Sequence, residues 1–331
     1  MRFLFFTDTH IRGTTPRNRT DVYYNTLKNK FEEVRRIIEE EDIDYVLHGG
    51  DWFDRPDISP AIVREFSIII KSFGRPIYTV AGNHDIYGQN PETVGRTMLG
   101  ILDGIGLIKL LGYDERILLQ KDGIRVQLAG QSYNYNLDGE DYRKYYVLKK
   151  EKNVDYAINI VHGMLLEKPF FEGIRYTLID EISDTEADIT LVGHYHSGFG
   201  IKRLGQKYFI NPGSLMRITN AISEINRKPK VVIIDLNEKG ITARELELKS
   251  ALPGNEVLDR TMLESSQDRN MKLHLFYQGI TAAGKFAKID LNNIIEEIAS
   301  NNVLNPQVKD EAIRRIAIAR EKLSSGSEDD E

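Results

Sequence analysis

Three apolar runs near the start of the chain, Arg2 to Thr7, Tyr45 to Leu47 and Pro76 to Ala81, alternate with two segments whose apolar residues recur at helical spacing. In the first segment Leu27, Phe31, Val34 and Ile38 share one side, with Glu32, Glu33, Arg35 and Arg36 opposite, and Asp21 stands where it can cap the helix. The second begins at Pro60 and shows an apolar face of Ile62, Phe66, Ile69 and Phe73. Strand, helix, strand, helix, strand is the rhythm of a parallel sheet with helices on its faces. Ligands of such sheets lie beyond the carboxyl ends of the strands. All three runs end in polar clusters: Asp8-Thr9-His10, Gly49-Gly50-Asp51-Trp52-Phe53-Asp54 and Gly82-Asn83-His84-Asp85.

The rest of the chain changes character. Glu115 to Gln120 and Ile124 to Ala129 flank Lys121-Asp122-Gly123, a hairpin signal, and Lys230 to Leu236 and Ile241 to Leu248 flank a second turn at Glu238-Lys239-Gly240. Two further strand-like runs lead into His162-Gly163 and Gly193-His194-Tyr195-His196. A length of 331 residues suits one large α/β domain with an appendage. We expect the domain over residues 1–250, a polar linker over 251–270, a short capping or partner-binding segment over 271–323 and a disordered acidic tail over 324–331. A formal net charge of -6 argues against coating nucleic acid by bulk electrostatics, so a phosphate-bearing ligand must be held locally. The absence of cysteine excludes disulfides and thiolate metal sites. Apolar runs fall short of the roughly 18 residues of a membrane span, and a soluble, cytoplasmic protein is expected.

Residues two apart on a strand point to one side, so Asp8 with His10, and His194 with His196, are expected to present paired ligands. Carboxylates mixed with imidazoles suit Mn, Fe, Zn or Ni better than Mg or Ca. Two cations side by side need a shared carboxylate, and Asp51 is the natural bridge. Of seven histidines in the chain, five fall in these clusters. Taken singly each cluster reads as an ordinary turn or a satisfied buried histidine; together, each after a strand, they point to a metal centre.

Asp8-x-His10, Gly50-Asp51-x-x-Asp54, Gly82-Asn83-His84-Asp85, His162-Gly163 and Gly193-His194-x-His196 resemble the five signature motifs of the calcineurin-like metallophosphoesterases. The resemblance implies an α/β fold of two stacked mixed β-sheets flanked by helices, followed here by a small α+β C-terminal appendage. It implies one metal held by Asp8, His10, Asp51 and His196, and another by Asp51, Asn83, His162 and His194. His84 matches the histidine that contacts the scissile phosphate and protonates the leaving oxygen, with Asp85 as its orienting partner. Two divalent ions in such a site acidify water and neutralise charge building on phosphoryl oxygens, which is phosphoester hydrolysis.

Within that superfamily Phe53-Asp54-Arg55-Pro56-Asp57-Ile58-Ser59-Pro60, and Arg19 and Asp21 leading into an amphipathic helix, resemble the SbcD-type DNA-repair nucleases. That resemblance implies a Mn2+-dependent exonuclease and endonuclease acting on DNA ends, a coiled-coil ATPase partner of the SbcC type, and a homodimer. Arg12, Arg17, Arg19 and Arg55 border the expected site as candidate phosphate contacts, and Asp54 as a support or substrate contact. Tyr133, Tyr135, Tyr142, Arg143, Lys144 and Tyr145 form an aromatic and basic patch suited to exposed bases, or else a half-buried strand edge. Val308, Ala312, Ile316, Ala319 and Leu323 form a helical stripe in the place where that family docks its ATPase. The alternative is a small-molecule or cyclic-nucleotide phosphodiesterase, which Asn211-Pro212-Gly213-Ser214 favours; an inactive scaffold fits poorly with every ligand position filled.

Overall fold

The computed structural model describes residues 1–171 and 173–261, together with Glu311, Arg314 and Arg315. The chain divides into two units, Met1–Arg260 and Thr261–Glu331. The expected capping segment and acidic tail lie outside the described residues, apart from Glu311, which pairs with Arg314 and Arg315 at helical spacing.

The first unit carries strands β1 (Arg2–Phe6), β2 (Tyr45–His48), β3 (Ile77–Thr79), β4 (Lys109–Leu110), β5 (Arg116–Lys121), β6 (Ile124–Gln131), β7 (Tyr156–Gly163), β8 (Leu165–Leu166), β9 (Thr177–Leu178), β10 (Ile189–His194), β11 (Gly200–Leu204), β12 (Lys207–Asn211), β13 (Lys230–Asn237) and β14 (Gly240–Glu247). They build two six-stranded sheets in the orders β14-β13-β1-β2-β3-β4 and β11-β12-β10-β7-β6-β5. In the first sheet β1 to β4 run parallel, and β13 and β14 join antiparallel on the other side of β1. Parallel pairing is what α1 (Tyr23–Glu40) and α2 (Pro60–Lys71) require, since each returns the chain to the same end of the sheet.

Arg2–Phe6 shows why the first strand reads as a continuous apolar run rather than an alternating one. Phe3 and Phe5 pack between the sheets with Leu47, Ile158, Ile160, Leu191 and Ile234, while Leu4 and Phe6 pack under the helices with Leu27, Phe31, Val34 and Phe66. Both faces of the strand are covered. Each such side chain contributes on the order of 1.5–3 kcal/mol of burial. At the hairpin between β5 and β6, Asp122 (φ 51°) and Gly123 (φ 80°) both take left-handed backbone, which matches the twist of the flanking strands.

Two local expectations give way to packing. Asp21 does not cap α1, whose N-cap is Val22; its carboxylate instead holds the Arg19 guanidinium and the Thr26 hydroxyl. Residues 251–260, expected to begin a linker, belong to the first unit, because Val257 and Leu258 are buried and the Val257 carbonyl accepts from the Thr20 amide at 3.2 Å. No helix among the described residues is long and apolar enough to cross a membrane.

Candidate metal centre

The carboxyl ends of β1, β2, β3, β7 and β10 deliver their polar residues to one place. Asp8 (φ 53°), His10 (φ 44°), Asp51 (φ 54°) and His194 (φ 88°) all adopt the left-handed region that non-glycine residues avoid. Strand alternation is therefore not what pairs Asp8 with His10: β1 has ended at Phe6, and the chain turns sharply after it. Each such residue costs on the order of 1–3 kcal/mol, so surrounding bonds must impose it. The Asp8 amide donates to the Gly50 carbonyl at 3.1 Å and the His10 amide to the Asp51 carbonyl at 3.0 Å, locking the first loop to the second. Asp51 Oδ1 accepts the His84 amide at 2.8 Å, and Asp8 Oδ1 accepts the His194 amide at 3.2 Å. Glycine is needed where these loops meet. A Cβ on Gly82 would stand 2.0 Å from Asp51 Oδ1, and one on Gly50 would stand 2.5 Å from His162 Nδ1.

Two groups of donor atoms result. Asp8, His10, Asp51 and His196 converge so that their ligand atoms lie within 4.8 Å of one another, and Asp51, His162 and His194 do the same. Asn83 completes the second group, its Oδ1 standing 2.9 Å from His194 Nδ1 and 3.2 Å from His162 Nε2. Asp51 belongs to both. Its Oδ2 is buried without a hydrogen-bond partner, 3.4 Å from His162 Nε2 and 3.8 Å from His10 Nε2. His10 Nε2 in turn faces His196 Nε2 at 3.1 Å. Buried acceptors aimed at one another are costly unless a cation lies between them, so this donor set fits two divalent ions sharing one carboxylate.

Charge states divide the imidazoles. Burial pushes the imidazoles of His10 and His194 down to about 3 and about 4, leaving their lone pairs available at neutral pH. Burial alone would lower His162 as well, but the Asp51 carboxylate outweighs it and holds His162 up at about 9. Burial likewise opposes ionisation of Asp51, and the charge of His162 overrides it, holding this carboxyl well below the usual range. His162 Nδ1 is committed to the Gly49 carbonyl at 2.7 Å, which aims Nε2 into the site.

His84 lies beside these groups, its ring 4.8 Å from that of His10 and perpendicular to it. Its Nδ1 donates to the Asp54 carbonyl at 2.8 Å, which leaves Nε2 as the atom free to carry or deliver a proton. The Asp54 carboxylate also lies within reach of His10 and His84, but it pairs with Arg12 at 2.9 Å. Asp54 thus acts on His84 through its backbone and on Arg12 through its side chain.

Asp85 does not orient His84. Its carboxylate is fully buried and accepts backbone amides of Trp52, Phe53 and Gly82 at 3.2, 2.9 and 2.9 Å, tying the second loop to the third. Burial, and then the charge of Asp51, push it up to about 7, against the pull of those amides. The expected phosphate contacts divide as well. Arg17 and Arg55 are exposed, Arg55 pairing with Asp57, and Arg12 is half-buried against Asp54. Arg19 is buried, with its guanidinium held by Asp21 and the Arg217 carbonyl, so it organises the loop instead of meeting solvent. In the aromatic patch Tyr135 is exposed, Tyr142 and Tyr145 pack partly on the second sheet, and Arg143 is committed to Asp184.

His48 is a supporting residue that the strand-end reasoning passes over. It is fully buried, stacks on Trp52 with ring centroids 3.9 Å apart, and accepts the Gly50 amide at Nδ1. Its position directly before Gly49-Gly50-Asp51 is the only signal the sequence offers. Asn211-Pro212-Gly213-Ser214 is a second support: Asn211 donates to the Tyr195 carbonyl and the Ser214 amide to the His196 carbonyl at 2.9 Å, bracing the loop that carries both histidines. Any phosphoester substrate would need that brace, so the phrase does not favour a small one.

Residues 1–198 match the calcineurin-like phosphoesterase family. The chain belongs to this family. Its members hydrolyse phosphoesters at a dinuclear metal site, which accords with the two groups sharing Asp51. The chain is 27% identical over 263 residues to the DNA double-strand break repair protein Mre11 of Thermoplasma acidophilum, an alignment covering 76% of this chain and 66% of that protein. The chain thus spans just under two thirds of that relative's length. Among solved structures, GAP50, the anchor in the inner membrane complex of Plasmodium, aligns with a TM-score of 0.49 at 14% identity over 76% of this chain and 86% of that one. Purple acid phosphatase PPD1 from yellow lupin (Lupinus luteus) aligns with a TM-score of 0.44 at 12% identity over 76% and 52%.

Proposed function

We propose that this phosphoesterase is a Mn2+-dependent DNA nuclease that trims DNA ends in repair or recombination together with a coiled-coil ATPase of the SbcC type. The observation that carries the hydrolytic part is the buried, unpartnered Asp51 Oδ2 between two sets of donors. The choice of DNA is supported by the likeness to the Mre11 protein, which runs beyond the family match at residue 198. In this reading Asp8, His10, Asp51 and His196 hold one ion, and Asp51, Asn83, His162 and His194 the other. His84 presents Nε2 to the leaving oxygen, with Nδ1 fixed by the Asp54 carbonyl. Arg12 and the exposed Arg17 and Arg55 border the path of the phosphate backbone. The mixed nitrogen and oxygen donors suit Mn2+. The ATPase would dock on the stretch from Val308 to Leu323.

The test is incubation of the purified chain with Mn2+ and end-labelled duplex DNA, beside bis-p-nitrophenyl phosphate. Degradation of the DNA that a chelator abolishes is expected. Turnover of the small ester with intact DNA would refute the nuclease assignment. For the partner, pull-down of the ATPase should be lost when the chain is truncated before Val308, and retention would refute that docking site.

A further inference from the structure

Beside His194 a cavity of about 290 Å³ is lined by Gln89, Tyr133, Asn134, Tyr135 and Arg175. Its composition differs from that of the metal centre. The Tyr133 ring lies 5.4 Å from the His194 ring, so the aromatic wall begins where the donor groups end. Tyr135 is 66% exposed, yet its ring has a partner: the Arg175 guanidinium lies over it at 5.6 Å. Arg175 is itself exposed and forms no ion pair among the described residues. The amides of Asn134 and Gln89 add both donors and acceptors at the rim, with Gln89 Oε1 3.5 Å from the Tyr133 hydroxyl. Gln89 takes left-handed backbone (φ 59°), an unfavourable conformation for a side chain that could otherwise sit anywhere on the surface. Half-buried Asp138 also lines the cavity and anchors the wall, accepting from Tyr146, Thr177 and the Met164 amide.

An exposed aromatic ring backed by a guanidinium, with amide groups at the rim and phosphoester chemistry next door, is the equipment for a flat, π-faced ring with polar edges. We propose that this cavity is a nucleobase subsite, in which the base adjoining the scissile phosphate stacks on Tyr135 and Arg175. The proposal rests on the phosphodiesterase reading of the metal centre and deepens it: the enzyme holds a nucleoside, and an unpaired one, because a base within a duplex has no free face to offer. Tyr142 and Tyr145, packed partly on the second sheet, take no part.

Two readouts test it on the full chain. In chelator, where nothing is cleaved, a single-stranded oligonucleotide carrying 2-aminopurine should be quenched on binding, and Tyr135→Ala should remove the quenching and weaken binding on the order of tenfold to hundredfold. In Mn2+, Tyr135→Ala and Arg175→Ala should lower kcat/KM for thymidine 5′-p-nitrophenyl phosphate by a similar factor, chiefly through KM, while kcat/KM for methyl p-nitrophenyl phosphate stays unchanged. Unaltered quenching, or equal losses on the two esters, would overturn the subsite. A wild-type protein that cleaves both esters but no DNA would instead refute the nuclease assignment, leaving the base subsite to stand or fall by the ratio of the two losses.

Discussion

Replacing Asp51 by asparagine changes one atom at the point where the two donor groups meet. The shape is kept: Oδ1 still accepts the His84 amide at 2.8 Å, and Nδ2 replaces the unpartnered Oδ2. Without metal the substitution removes a carboxylate that His162 holds ionised, and leaves that imidazolium buried without its partner. Removing one partner of a buried ion pair costs about 3–5 kcal/mol, and loss of the His162 proton, whose nitrogen stands 3.4 Å from Oδ2, recovers part of it. The melting temperature in chelator should therefore fall below that of wild type, at about 2–4 °C per kcal/mol for a domain of this size. In Mn2+ the gap should widen. A ligand at a hundredfold its Kd stabilises the native state by about 2.7 kcal/mol, and a site lacking its shared carboxylate forfeits this for both ions. Differential scanning fluorimetry of both proteins, each with and without Mn2+, reads the widening directly, and the variant should show no phosphodiester turnover. An Asp51→Asn protein that matches wild type in chelator, or that gains as much from Mn2+ as wild type, would refute the reasoning.

Three further outcomes follow from the same geometry. His84→Asn should leave Mn2+ binding intact and lower kcat on DNA by about 10²–10⁴-fold, with little effect on esters whose nitrophenolate leaves without a proton; equal losses on both would refute a proton-delivery role. His162, held up at about 9, carries a proton that the cations must displace, and Asp8 shifts His196 upward as well although burial opposes it. Mn2+ uptake at pH 7 should therefore release protons, visible as calorimetric heats that scale with buffer ionisation enthalpy, and buffer-independent heats would contradict this. His48 is pushed down to about 3 by burial, and it accepts the Gly50 amide at Nδ1, so the fold excludes its proton while the unfolded chain binds one below about 6.5. Stability of the metal-free protein should fall by about 1.4 kcal/mol per pH unit for this group as pH drops from about 6.5 towards 3. His48→Asn should flatten the slope of urea-unfolding free energy against pH by that amount, and an unchanged slope would refute it.

The strands and the first two helices are legible because local periodicity decides them: Leu27, Phe31, Val34 and Ile38 line the buried side of α1, and apolar runs such as Phe3 to Phe6 fill both sides of a covered strand. The grouping of Asp8, His10, Asp51 and His196 is legible only through the likeness of the five motifs to a known family, since His196 follows a strand of the other sheet and no local periodicity ties it to the rest. What stays hidden depends on partners distant in sequence or on backbone that no residue type announces. Asp85 resembles an orienting partner of His84 by adjacency alone; its oxygens turn instead to three amides of neighbouring loops. Arg19 resembles a phosphate ligand until Asp21 and the Arg217 carbonyl claim it. The left-handed turns at Asp8, His10 and Asp51 arise from loop-to-loop bonds that exist only in the assembled sheet. Val257 and Leu258 are too short an apolar stretch to outweigh Pro253 and Gly254 in a polar surround, yet they bury on the first unit.

The central claim is that Asp51 is shared by two cations. An anomalous difference map at the manganese edge, from crystals of the chain grown with Mn2+, tests it without reference to activity. Two peaks about 3.5–4 Å apart are expected, one among Asp8, His10 and His196 and the other among Asn83, His162 and His194, with an Asp51 oxygen between them. A single peak, or two peaks that Asp51 does not bridge, would contradict the account.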